Sequence, residues 1–148
     1  MAMKLNRVAC QFVDTADGRP IPLVICTATD NTTAVSDNAG YISIPVNLPN
    51  GTAFYLQVQS PGYDIPPDGF AYRGIRLVVG NPIERIKLRR LNIAQRSGRT
   101  TGIGKYIHAQ TLGVIGQVTE TPLTGMDSVQ TAELRGTRFV FFGDTNWS

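Results

Sequence analysis

Two aspartates, Asp127 and Asp144, come nearest in type and spacing to a catalytic pair. They stand on the two arms of a predicted hairpin, so the fold could bring their carboxylates close together. Hydrolysis of a glycosidic bond normally uses two carboxylates, one as an acid and the other as a base or nucleophile. The alternative is structural, with Asp127 opening a strand and Asp144 capping a turn in Gly-Asp-Thr. For this chain alone we favour the structural alternative, so we predict no catalytic residue and no enzyme.

His108 and Trp147 are the candidates for contact with a ligand. A histidine can exchange a proton near neutral pH, and an indole ring offers a flat face to a sugar. No serine or cysteine in a nucleophile motif accompanies His108, so a polar position in a strand or loop is the alternative. Packing in a core or at an edge is the alternative for the aromatic residues. The other aromatic candidates for sugar contact are Tyr41, Tyr55, Tyr63, Phe70 and Tyr72.

The two cysteines, Cys10 and Cys26, do not indicate a metal site. Neither belongs to a C-x-x-C pair and the chain has one histidine, so no zinc site is predicted. Both cysteines lie in apolar strand patterns, which favours buried free thiols. A disulfide between them would need suitable geometry and an oxidising compartment.

Six aspartates of residues 1–91 fall at predicted turns or strand ends, where aspartate bonds its own backbone. No spaced D-x-D-x-D run supports a calcium site. The glycines at 102–104 lack the further glycine, the Gly-Lys-Ser/Thr and the helix of a phosphate loop. We therefore predict no metal and no cofactor. The six are Asp14, Asp17, Asp30, Asp37, Asp64 and Asp68.

Positive charge is concentrated in residues 73–105, although the net charge of the chain is only +3. This segment holds nine arginines and lysines and a single acid, Glu84. A surface that binds polyanions is one interpretation. A solvated edge strand and linker is the other, because basic side chains discourage aggregation of strand edges. Few aromatic residues lie near the segment, so we predict no nucleic-acid partner.

Short alternating segments separated by Gly, Pro, Asn and Asp predict an all-β fold. Apolar residues make up 42% of the chain and charged residues 17%, which supports a packed core. No apolar run approaches a membrane span, and no signal peptide is visible. The pattern predicts a seven-stranded antiparallel β-sandwich. Its strands are predicted at 7–14, 22–29, 33–36, 41–46, 53–60, 73–79 and 83–91.

The chain changes character after Leu91. Residues 95–105 are polar, basic and glycine-rich, which is typical of a linker. Residues 128–134 and 138–142 predict a hairpin around Arg135-Gly136. We therefore predict three parts: a sandwich at 1–92, a linker or extension at 93–124, and a hairpin segment at 125–148.

Four turn motifs resemble, in their order along the chain, those of carboxypeptidase-regulatory-like domains, also called transthyretin-like or Cna-B-like. The resemblance covers about residues 6–91, although Leu23 and Val24 replace the small residues usual after the proline. It implies a prealbumin-like sandwich without catalysis, which accompanies secreted peptidases, glycosidases, adhesins or transporters as a spacer, folding partner or binding surface. The motifs are DGRPIP at 17–22, SDNAGY at 36–41, LPNG at 48–51 and SPGY at 60–63.

Residues 102–148 are similar to the beginning of bacterial glycosidase-like β-propeller proteins. The similarity rests on GKYIHAQTLG at 104–113, PL at 122–123, GMDSVQTA at 125–132 and FFGDTN at 141–146. By position, it implies that Asp127 faces the sugar-binding centre of a complete propeller, with Asp144 as a second carboxylate. One hairpin cannot close a propeller. We therefore expect a longer bacterial protein, extracellular or periplasmic, whose downstream propeller domain is the partner of the sandwich.

Three functions remain open at this point. The leading hypothesis is a non-catalytic accessory module of a carbohydrate-active protein, which could itself be a glycoside hydrolase. The second is a self-contained binding or adhesion module without enzymatic activity. The third is polyanion binding through residues 73–105, which would depend strongly on salt. Carbohydrate is the candidate ligand.

Overall fold

The computed structural model describes residues 6–126, 129–143 and 145–147, and it is all-β with one short helix. The all-β class predicted from the sequence is confirmed. The chain divides into two compact units. The first contains the described residues up to Gly98 together with Tyr106–Gln117, and the second contains Arg99–Lys105 and the described residues from Val118 onwards.

The described part of the first unit contains eight strands rather than the seven predicted. The additional strand, β6, has two residues and is too short to show a period. β2 begins later than predicted because Leu23 has a φ of 60°, which is outside the extended region. The strands are β1 (Asn6–Asp14), β2 (Ile25–Ala28), β3 (Thr33–Val35), β4 (Tyr41–Val46), β5 (Ala53–Gln59), β6 (Tyr63–Asp64), β7 (Gly74–Val78) and β8 (Glu84–Arg90).

One sheet of this unit has the order β4-β1-β8-β6 and contains a parallel pair. β1 runs antiparallel to β4, with Val8 opposite Ile44, and parallel to β8, with Phe12 opposite Ile86. The predicted antiparallel pairing is therefore wrong for β1 and β8. Alternation along a strand decides which face is buried, but the direction of its neighbour depends on how the chain crosses over. β4 lies at the sheet edge, where Pro45 is tolerated as predicted.

The other sheet has the order β3-β2-β5-β7, and its described pairs are all antiparallel. The two sheets contribute to one apolar core, which is the arrangement of a β-sandwich. Cys10 on β1 and Cys26 on β2 both lie in this core as free thiols, as predicted. The largest fully buried side chains that the two sheets contribute are Phe12, Ile42, Leu88, Leu56 and Leu77.

The segment after β8 is fastened to the sandwich by Arg96. Its guanidinium donates hydrogen bonds to the carbonyl oxygens of Pro22 at 2.6 Å, Leu23 at 3.0 Å and Pro61 at 2.6 Å. It also lies 5.6 Å from the ring centre of Tyr63, within the range of a cation–π contact. This arginine of the basic segment therefore joins separate parts of the first unit.

A five-residue helix, α1 (Ile107–Thr111), follows where the sequence predicts no regular element. A helix this short shows no readable apolar period and would be unstable alone. It packs against β4, in the first unit. Tertiary contact therefore accounts for this element.

In the second unit, β10 and β11 form the predicted hairpin, which is confirmed. Arg135 and Gly136 have φ values of 52° and 76°, which suit a tight two-residue hairpin turn. β9 pairs with β12, with Met126 facing Thr145, and Gln130 faces Phe141 in the hairpin. Four positions separate these two pairs on both arms, so the two pairings share one register. The strands are β9 (Leu123–Met126), β10 (Gln130–Leu134), β11 (Thr137–Phe141) and β12 (Thr145–Trp147).

Candidate functional site

Most of the aspartates in the first unit hold turns, as the sequence predicts. In five of them Oδ1 accepts the main-chain N–H two residues further along, at 2.8 to 3.0 Å. This is the Asx-turn hydrogen bond. The main-chain N–H donors lower the pKa of Asp17 and Asp30, because they favour the ionised carboxylate. The five are Asp14, Asp17, Asp30, Asp37 and Asp68.

Asp37 is only 3% exposed, and its carboxylate also binds helix α1. Its Oδ1 accepts the main-chain N–H groups of Ala39 at 3.0 Å and Tyr41 at 3.1 Å. Its Oδ2 accepts the N–H of Ala109 in α1 at 2.8 Å. One carboxylate therefore shapes the turn before β4 and fastens the helix to it.

His108 lies beside Asp37, and both of its ring nitrogens face main-chain groups. Nδ1 accepts the N–H of Ser43 at 3.2 Å, and Nε2 lies 3.1 Å from the carbonyl oxygen of Val35. These partners assign the neutral ring with its proton on Nε2, which donates to Val35. Burial lowers the pKa of His108, and the Asp37 carboxylate opposes this shift. A ligand would have to replace one of these bonds, and the predicted ligand contact of His108 stays a prediction.

Trp147, the other predicted ligand contact, lies in the second unit. Asp127 and Asp144 are outside the described residues, so their predicted roles stay predictions. The backbone of Trp147 belongs to β12 and pairs with that of Leu123 in β9. Its ligand contact likewise stays a prediction.

The buried thiols are poorly suited to bind a metal. Burial raises the pKa of Cys26 to about 12 and also raises the pKa of Cys10, so both are protonated at neutral pH. Within residues 6–126, 129–143 and 145–147, no three His, Cys, Asp or Glu side chains group as metal ligands. The helix in this same part of the chain is too short and too polar to cross a membrane.

Several residues of the basic segment pair with acids of the first unit. Arg90 Nε lies 3.2 Å from Oδ2 of Asp14, whose side chain is fully buried at the end of β1. Asp64 accepts a hydrogen bond from Arg73 on one oxygen and, at 3.3 Å, from Arg89 on the other. Nearby acids therefore offset part of the positive charge of this segment.

Two aromatic side chains project from the turn at residues 68–72, which we call the aromatic turn. Phe70 is 84% exposed and Tyr72 is 64% exposed. Asp68 Oδ1 accepts the N–H of Phe70 at 2.9 Å and that of Tyr72 at 3.0 Å. The N–H of Asp68 donates to the carbonyl oxygen of Tyr72 at 2.8 Å, and Ala71 has a φ of 65°. Local bonds thus fix the backbone that carries both rings.

A cavity of about 330 Å³ adjoins the aromatic turn along the chain, since Ile65 and Arg73 are among its lining residues. Its volume and its mixture of apolar walls and few polar groups fit a small ligand. The aromatic residues were candidates from the sequence, whereas Gln59, Asp64 and Arg73 were missed. They carry no common spacing, because they come from different strands and the loop before β7. The other lining residues are Val58, Ser60, Pro61, Tyr63 and Leu88.

No family model matches the chain, and no curated protein matches it. Both resemblances seen in the sequence therefore stay predictions. The aromatic turn and its cavity are the candidate site on the strength of their geometry alone.

Proposed function

We propose that the first unit is a non-catalytic accessory β-sandwich of the carboxypeptidase-regulatory-like, prealbumin-like type. The observation that carries this proposal is how its polar side chains are used. Five aspartates accept main-chain N–H groups, and both nitrogens of His108 face main-chain partners. A general acid or base needs an atom that can reach the substrate. In the described part of the first unit, these groups instead support the fold.

We further propose that this module belongs to a larger, exported, carbohydrate-active bacterial protein whose propeller begins in the second unit. The sequence motifs of residues 102–148 support this. The ribbon of β10 and β11 adds support, because Phe139, Val140 and Phe141 are all exposed. A two-stranded ribbon is marginally stable by itself. Strands of this composition suit a position where further strands pack against them, as in a propeller blade.

Two measurements test the proposal. The purified chain should release no reducing sugar from a panel of plant and bacterial polysaccharides. Release by the wild-type chain that is lost in the Asp64→Asn variant would contradict the non-catalytic role. The intact mass of the natural polypeptide should be well above 16.1 kDa. A natural polypeptide of that same mass would contradict the proposal of a downstream propeller.

The alternative is a self-contained binding module, and the position of the extension favours it. Arg96 and helix α1 both lie in the first unit, although the sequence assigns them to a linker or extension. Limited proteolysis with mass readout separates the two functions. Under the accessory proposal the second unit is cleaved and a resistant fragment ends near Gln117. Resistance of the whole chain would favour the self-contained module.

A further inference from the structure

We propose that the aromatic turn and its cavity bind an acidic polysaccharide, with a uronate residue as the unit recognised. This inference rests on the proposed function, because it assumes that the module serves a carbohydrate-active protein. It adds the chemical class of the sugar and the residues that contact it. Gln59, Asp64 and Arg73 line the cavity, and Phe70 and Tyr72 are exposed on the turn that leads directly into Arg73.

The two exposed rings of the aromatic turn provide the apolar contact. The C–H face of a pyranose ring is apolar and packs against a flat aromatic side chain, which buries much of the ring surface. Phe70 and Tyr72 stand on a backbone held by Asp68 and by main-chain bonds. Because this backbone is already ordered, binding would cost little further conformational entropy. Exposed aromatic residues on a fixed turn are therefore suited to recognise a ring.

The hydrogen-bond donors of Arg73 favour a sugar that carries a carboxylate. Arg73 and Arg89 both contact Asp64, and with Asp68 in the turn the positive and negative groups of the site balance. Arg73 uses Nη1 for its bonds to Asp64 and to the carbonyl oxygen of Ile65. Its Nε and Nη2 have no hydrogen-bond partner in the described part of the chain. A guanidinium binds a carboxylate through two parallel hydrogen bonds, which these nitrogens can supply.

A single-stranded nucleic acid fits the same surface less well. Such ligands need a basic groove that follows several successive phosphates. Here Asp64 and Asp68 carry negative charge at the site, and the cavity of about 330 Å³ is local. One ring with one carboxylate matches this arrangement better than a phosphate chain.

The test is native affinity electrophoresis of the whole chain in gels that contain polygalacturonate. The wild-type chain should be retarded, and the Phe70→Ala, Tyr72→Ala double variant should bind at least about tenfold more weakly. Ile93→Ala is the matched control, because Ile93 is 99% exposed and lies outside the site. It should bind as the wild type does. Far-ultraviolet circular dichroism checks that each variant is folded.

A second pair of variants tests the role of the guanidinium. Arg73→Lys keeps the positive charge but removes the planar pair of donors, and Arg85→Lys makes the same change on the exposed side of β8. We expect about tenfold weaker binding for the first and none for the second. Equal losses in both variants would overturn the proposed carboxylate contact.

Three further results would overturn the proposal. They are absent retardation of the wild type, equal retardation by fully methyl-esterified pectin, and equal competition by poly(dT). Failure of polygalacturonate binding without any hydrolysis would leave the non-catalytic module standing. Hydrolysis of a polysaccharide by the chain would instead remove the proposed function itself. The two failures are therefore distinguishable.

Discussion

The substitution Asp37→Asn separates the two roles of this buried carboxylate. Asparagine keeps one carbonyl oxygen, which can still accept the N–H groups of Ala39 and Tyr41. Its amide NH2 then takes the place of Oδ2, which accepts the N–H of Ala109 in the wild type. Two donors would face each other there, so the turn is retained while the bond to helix α1 is lost.

The magnitude follows from the number of bonds lost. A hydrogen bond to a charged group contributes about 1.5–3 kcal/mol, so we expect Asp37→Asn to lower the free energy of unfolding by about 2 kcal/mol. Asp37→Ala leaves three N–H groups without their acceptor, and we expect a loss of about 4 kcal/mol. Asp30→Asn is the control, because Asp30 accepts the main-chain N–H of Thr32 in an exposed turn. Its effect should be below about 0.5 kcal/mol.

Urea unfolding gives the free energies, and hydrogen exchange at the Ala109 amide shows whether the helix is released. A loss of 2 kcal/mol corresponds to about 30-fold faster exchange if this amide opens with the helix. Unchanged exchange at Ala109 in Asp37→Asn would refute the assignment of this carboxylate as the helix contact. Equal losses in the asparagine and alanine variants would refute the separation of its two roles.

Three further predictions concern other buried or strained positions. Because burial lowers the pKa of His108 in the folded state, the unfolded chain binds the proton more readily, so unfolding free energy should fall as pH drops below about 6.5. Urea titrations at pH 7.5 and pH 5 measure this fall in unfolding free energy, which should be smaller in His108→Gln than in the wild type. An equal fall in both would contradict the role of His108. Iodoacetamide at pH 8 should label Cys10 and Cys26 only after urea is added, because their raised pKa values keep them as thiols; complete native labelling, read by mass, would show accessible thiolates. Gly40→Ala should destabilise by at least about 2 kcal/mol, since Gly40 has a φ of 76° and its added Cβ would lie 2.5 Å from a carbonyl oxygen of β1. Gly18→Ala has a similar φ of 72° with open space around it, so thermal unfolding should place its Tm above that of Gly40→Ala.

Features that depend on neighbours in the chain were predictable. The Asx turns follow from an aspartate bonding an N–H two residues away, as at Asp17 and Asp30. The buried face of β1 follows from the alternation of Val8, Cys10 and Phe12. The hairpin of the second unit follows from two strand-forming arms and the Arg135-Gly136 turn between them. In each case the decisive interaction is complete within a few residues.

Features that join distant parts of the chain were not predictable from these patterns. Asp37 and Ala109 are 72 positions apart, and neither residue type indicates that the two are in contact. The parallel direction of β8 beside β1 depends on the path of the whole chain between them. In the sequence, Arg73 and Arg89 look like parts of a general basic excess and Asp64 like one more aspartate of a turn, until the fold brings them together.

The sequence by itself determined the all-β class, the buried faces of the main strands, the turn chemistry and the hairpin, because short-range periodicity and backbone bonding encode them. Only the tertiary structure decided the strand order, the docking of α1, and the cavity that Gln59, Asp64 and Arg73 line. The physical reason is that these features arise from side chains that meet across long loops. Their contacts depend on topology, which no local pattern of residues specifies.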